Sequence, residues 1–163
     1  MTTIIGDPKR KVLVADSQYS DDDSDTKSKD NEKVFRVPQG WLAGAGDVTS
    51  IQQVVAWFRD GKKGKAPIIK DIDDADFMLL SDDGVFVSGK DLRFWQIYKP
   101  DALGSGTLAA LAVMSLDHTA EEACWAACQS DLYSGTPVKI YSLNSKEPAI
   151  YDRETNALQG SSS

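Results

Sequence analysis

At 163 residues and 17.8 kDa, with 41% hydrophobic and 26% charged side chains, the chain has the size of one globular domain with a substantial core. A net charge of −7 and a pI near 4.6 exclude a general nucleic-acid-binding function, which needs a basic face for phosphates. No run approaches the roughly 20 apolar residues of a membrane span and no apolar leader follows Met1, so a cytoplasmic protein without membrane contact is expected.

In chain order, "TTIIG" and "KVLVADS" are β-rich runs joined by the turn "DPKR" and predict a hairpin. "QYSDDDSDTKSKD" is too polar and charge-dense for a core and predicts a mobile surface loop. "KVFRV" and "GWLAGAG" predict two further strands joined through "PQ". Asp47 then stands as the N-cap of a helix whose Ile51, Val54, Val55 and Phe58 share one buried face, and Gly61 ends it. No second helix is predicted between Gly61 and Asp76, where "GKKGK" reads as a solvated basic loop.

"DFMLLSDDGVFVSGKDLRFWQIY" predicts three strands, the first two joined through "SDDG" and the third opening near Asp91. "GSGTLAALAVMSL" predicts a small-residue helix capped by Ser105, and "HTAEEACWAACQSD" another with Thr119 and Glu122 as a capping box. "TPVKIYSL" returns as a strand and pairs with "PAIYD". One domain over residues 1–154 is expected, with 155–163 a disordered tail. Strands in runs, without regular βαβ alternation, predict an α+β fold of antiparallel sheets with helices on their outer faces.

Several motifs fail on inspection. "GSGTLA" fits the G-x-G-x-x-A dinucleotide pattern, but "KPDAL", with its proline, stands where a strand would feed the first glycine, and Glu121 and Glu122 fall inside a helix. "DIDDAD" does not fit a calcium loop: counted from Asp71, Ala75 falls on a ligand position, Asp76 on the turn glycine and Asp82 on the bidentate glutamate. With one histidine, and with Cys124 and Cys128 four apart on one helix face, no zinc site is expected, and both thiols read as reduced core residues.

Singly, Asp131 reads as a helix C-terminal acid, Ser134 as a turn serine, Lys33 as a strand-edge lysine and Asp16 as a strand end. Together, and in one order, Thr2, Asp16, Lys33, "AGAG", "GSG" and "DLYSG" resemble the proteasome β-subunits and HslV-type threonine peptidases, which are N-terminal nucleophile hydrolases. The likeness runs from "TTI" through "VADSQ", "EKVFRV", "LAGAGD", "GSGTLAA" and "HTAEEACWAA" to "DLYSGTPVKIYSL". It implies a four-layer α/β/β/α sandwich.

The resemblance also implies a chemistry. A hydroxyl is a weak nucleophile unless a base lies within hydrogen-bond reach, and an N-terminal threonine supplies that base as its own α-amine, whose ordinary pKa is about 8. Thr2 would be this residue once Met1 is removed, and its small side chain suits methionine excision. Lys33 matches the lysine beside the threonine, whose charge disfavours protonation of the amine. Asp16 matches the acid that holds that lysine, and Gly46 the residue whose backbone N–H receives the oxyanion. Ser105, Asp131 and Ser134 match the group that orients the terminal amine. Gly44 matches a residue lining the pocket for the side chain before the cut bond, and leaves it roomy enough for large apolar groups.

By the same resemblance the protein would be a homo-oligomeric ring, hexameric or heptameric and single or stacked. Its substrate would be unfolded polypeptide or peptide, fed by an AAA+ unfoldase, with no metal and no cofactor. Two alternatives stand beside an endopeptidase: a small-amide hydrolase on the same fold, and a catalytically silent assembly protein.

Overall fold

The computed structural model describes residues 2–17, 19–21, 24–28, 32–70, 73–131 and 134–153. Its elements run β1 (Thr3–Asp7), β2 (Val12–Ala15), β3 (Tyr19–Asp21), β4 (Ser24–Ser28), β5 (Val34–Val37), β6 (Gly40–Gly46) and α1 (Val48–Arg59). Then come β7 (Ala75–Ser81), β8 (Gly84–Ser88), β9 (Trp95–Ile97), β10 (Asp101–Gly104), α2 (Thr107–Met114), α3 (Ala120–Ser130), β11 (Val138–Ser142) and β12 (Ala149–Tyr151).

The strands form two five-stranded antiparallel sheets, ordered β10-β1-β2-β11-β12 and β5-β6-β7-β8-β9, and β3 pairs with β4 as a separate hairpin. The period of two along each strand decides the packing. Ile4, Leu13 and Ala15 of the first sheet meet Trp41, Ala43, Met78 and Leu80 of the second in a core between the sheets. The alternate residues Ile5, Val12 and Val14 turn outward and are covered by Ala110 of α2 and Ala120, Ala123, Cys124 and Ala127 of α3. On the far side, Leu42, Phe77 and Leu79 are covered by Ile51, Val54, Val55 and Phe58 of α1. Three apolar layers separate four structural ones, the expected α/β/β/α order.

Local chemistry explains most boundaries. Asp47 caps α1, its carboxylate accepting from the Ser50 N–H at 2.8 Å, and the helix buries the four predicted apolar positions. Thr119 caps α3 through the Glu122 N–H at 3.2 Å, but Glu122 does not close the box: its carboxylate lies 2.6 Å from His118 Nδ1. Glu121 is buried against Arg10 instead, at 2.7 Å, tying α3 to the first hairpin.

Four further expectations change. Tyr19–Asp21 and Ser24–Ser28 are not irregular loop, since they pair as β3 and β4. The third strand of the central run opens at Trp95 rather than near Asp91. "DALG" is a strand, β10, because the first sheet offers it the free edge of β1. It feeds the glycine pair directly, but it runs antiparallel to β1, so the parallel βαβ unit of a dinucleotide site is still absent there. Ser105 does not cap α2: the N-cap is Gly106, and the Ser105 hydroxyl is engaged elsewhere. The expected tail at 155–163 lies outside the described residues.

No helix among the described residues is long and apolar enough to cross a membrane, and they hold no cluster of metal-ligating side chains.

Candidate active site

Thr2 directly precedes β1, and strand alternation puts its side chain on the face of Ile4, toward the space between the sheets, while Thr3 turns with Ile5 toward the helices. Both threonines are buried. Asp16, one residue past β2, lies beside them because β1 and β2 pair with Ile4 opposite Ala15. Its backbone N–H donates to the Thr3 carbonyl at 3.1 Å, and its carboxylate Oδ1 accepts from the Thr3 N–H at 2.8 Å.

The same Oδ1 accepts from Lys33 Nζ at 2.8 Å, a pair whose side chains are 8% and 0% exposed. Asp16 Oδ2 accepts from the Gly135 N–H at 3.0 Å. One carboxylate therefore gathers the chain start, the lysine before β5 and the loop before β11. Lys33 stands directly before the edge strand β5, as its place in the chain suggests, but it is buried. Burial holds its ammonium below the ordinary lysine range, and the attraction of Asp16 only partly offsets this.

A second network lies on the helix side. Ser105 Oγ donates to Asp131 Oδ2 at 2.5 Å, Ser134 Oγ donates to the same oxygen at 2.6 Å, and Thr3 Oγ1 is 2.6 Å from Ser134 Oγ. Ser17 locks the loop that carries Ser134, with its N–H on the Gly135 carbonyl at 2.9 Å and its hydroxyl on the Pro137 carbonyl at 2.6 Å. The structure thus brings together Asp16 with Lys33, and Ser105 with Asp131 and Ser134, groupings that the resemblance implied. The sequence missed Thr3, Ser17 and the Gly135 amide. A polar residue at an inward position of an otherwise apolar strand was the available signal for Thr3; nothing marked a backbone amide.

Thr2 and Lys33 open onto a cavity of about 280 Å³ together with Gly44 and Gly46. Its apolar wall is Phe35, Val48 and Ile51, with Glu32 and Gln52 on the polar side. The room beside Gly44 is not empty: a Cβ there would lie 2.8 Å from two Ile51 carbons, so Ile51 forms the floor of the cavity. Gly46 sits at φ +116°, and a Cβ would collide with the Asp74 carbonyl. Cys124 and Cys128 lie outside this wall. The hydrogen bond to Cys128, followed by burial, pushes the Cys124 thiol well up, which keeps it a neutral core group.

Gly104 holds the other side of Thr2. It adopts φ +94°, and a Cβ would overlap the Thr2 carbonyl oxygen. Gly104→Ala is therefore expected to cost about 1–3 kcal/mol from backbone strain alone, before any displacement of Thr2. Denaturant unfolding reads this directly, and an unchanged midpoint would mean that the close approach does not exist.

Neither a protein-family model nor a curated protein matches the sequence. Solved structures do. BPH of Thiobacillus denitrificans in complex with epoxomicin matches with a TM-score of 0.67, over 87% of this chain and 99% of that one, at 18% identity. Another BPH structure gives 0.66 over 90% and 100% at 17% identity, and eukaryotic HslV from Trypanosoma brucei gives 0.64 over 85% and 97% at 15% identity. These neighbours are HslV- and proteasome-like threonine peptidases, and what the chain shares with them at these identities is the fold.

Proposed function

We propose that this chain, built on the HslV fold, is a threonine-type endopeptidase whose nucleophile is Thr2 after removal of Met1. One observation carries the proposal: Lys33, paired with the buried Asp16, opens with Thr2 onto one cavity large enough for an amino-acid side chain. An ion pair withdrawn from water is a costly way to fill space, since desolvation offsets much of its attraction. Beside a terminal threonine it has a use.

In the proposed reaction the α-amine of Thr2 takes the hydroxyl proton as Oγ1 attacks the scissile carbonyl carbon. The Lys33 charge keeps that amine unprotonated near neutral pH, and the Gly46 N–H receives the oxyanion. The ammonium returns its proton to the departing amine, the C–N bond breaks, and an ester remains on Thr2. Water, deprotonated by the same amine, hydrolyses the ester and regenerates the hydroxyl. Asp16 orients Lys33, and Ser105, Asp131 and Ser134 orient the amine. Phe35, Val48 and Ile51 suit an apolar residue before the cut bond.

Intact mass and peptide turnover test this together. The purified protein is expected to lack Met1 and to cleave fluorogenic peptides. If Met1 is fully retained, Thr2 carries an amide and has no base of its own, and the chain is an assembly protein instead.

A homo-oligomeric ring is part of the proposal. Helix α2 has no charged residue, and Leu108 and Leu116 along and just after it are 85% and 72% exposed. A helix apolar on all sides is normally covered on all sides. Light scattering is expected to find a closed oligomer at micromolar concentration; monomer alone would remove compartmentalisation, with the ATP-driven unfoldase that would feed it.

A further inference from the structure

The threonine after Thr2 stands where the two networks meet. Its side chain is fully buried, so its hydroxyl must find a partner inside the protein, and that partner is Ser134 Oγ at 2.6 Å. The direction of this bond follows from proton inventory. Ser134 carries one hydroxyl proton and donates it to Asp131 Oδ2, which as a carboxylate oxygen only accepts, so Ser134 must accept from Thr3. The chain of bonds is directed, from Thr3 through Ser134 to Asp131, where Ser105 donates from the other side.

The backbone of Thr3 meets the other network. Its N–H donates to the Asp16 oxygen that also holds Lys33 Nζ, each at 2.8 Å. That N–H belongs to the peptide group linking Thr2 to Thr3, whose carbonyl side is closed by Gly104. Gly106 completes the fit: a Cβ there would overlap Thr3 Oγ1 and come within 3.1 Å of the Ala127 Cβ, so the start of α2 is shaped around this hydroxyl.

We propose that Thr3 is a positioning residue. Its amide and hydroxyl join the Asp16–Lys33 pair to the Ser134–Asp131–Ser105 chain and fix the peptide plane that sets where the hydroxyl and amine of Thr2 lie. This inference rests on the peptidase function above. A β-branched residue in strand conformation fills the site sterically, but only a hydroxyl completes the directed chain.

The test compares Thr3→Val, which keeps the shape and deletes the hydroxyl, with Thr3→Ser, which keeps the hydroxyl, each confirmed by mass to begin at Thr2. Thr3→Val is expected to lower kcat about 10- to 100-fold with KM within about twofold, because misplacement taxes the chemical step rather than binding. Thr3→Ser is expected to recover to within about threefold of the parent. Equal kcat in Thr3→Val and the parent, or equal losses in both variants, would overturn the role of the hydroxyl while leaving the peptidase in place. A parent that begins at Thr2 and cleaves nothing would overturn the peptidase itself, and the positioning role with it. Should Thr3→Val not fold, Ser134→Ala removes the acceptor from the other end, with the same kcat loss expected and an unchanged kcat equally fatal.

Discussion

Thr2→Ala is expected to abolish peptide cleavage, by about 10⁴-fold or more, because the amine then has no hydroxyl to activate. Thr2→Ser keeps hydroxyl and amine and should retain a measurable fraction. The substitution removes few buried atoms from a residue at a cavity wall, so unfolding should move by about 1 kcal/mol or less and the oligomer should persist. One residue added and retained ahead of Thr2 should silence the enzyme equally, because the terminal amine moves away from its hydroxyl. Cleavage of a small peptide by Thr2→Ala at the parent's rate would end the threonine-peptidase proposal.

Lys33→Met should also abolish turnover, but not silently for the fold. A surface lysine would be exchanged within about ±0.5 kcal/mol, whereas removing one partner of a buried pair typically costs about 3–5 kcal/mol. Asp16 keeps the Thr3 and Gly135 amides as donors, so the lower end of that range is expected. Arginine should fail too, since its planar fork does not fit a niche built for a compact ammonium. An active, equally stable Lys33→Met protein would exclude both roles.

The lowered pKa of Lys33 separates activity from stability at alkaline pH. Between its folded value and the ordinary 10.5, the unfolded chain binds the extra proton, so this group's contribution to stability rises with pH there. Activity should fall in that same window as Lys33 loses its charge. The alkaline loss of turnover is therefore expected without unfolding, which circular dichroism along the pH profile can check.

Much of this was legible in the sequence where chemistry is local. Asp47 as a cap, the Ile51-Val54-Val55-Phe58 face and the "SDDG" hairpin depend only on near neighbours. Strand β10 did not, because "DALG" has little strand propensity and forms by filling the open edge of β1. Burial of Lys33 was hidden because it follows the charged run that ends in Glu32, at the very start of the predicted strand, and its carboxylate lies 17 positions away. Resemblance grouped Ser105, Asp131 and Ser134, but Thr3 and the Gly135 amide enter only once β1, β2 and the loop before β11 are side by side.

Asp16 also decides when the candidate site is assembled. Its two oxygens tie residue 3 to residues 33 and 135, so the carboxylate is fully engaged only once the start of the chain, the lysine before β5 and the loop before β11 are side by side. Contacts that distant in sequence form late in folding. Under the proposed function, a nascent or half-folded chain would have its threonine but not the setting that would arm it, and unfolded copies would not be exposed to an enzyme made of their own first half. For the proposed peptidase, folding would then act as the activation step.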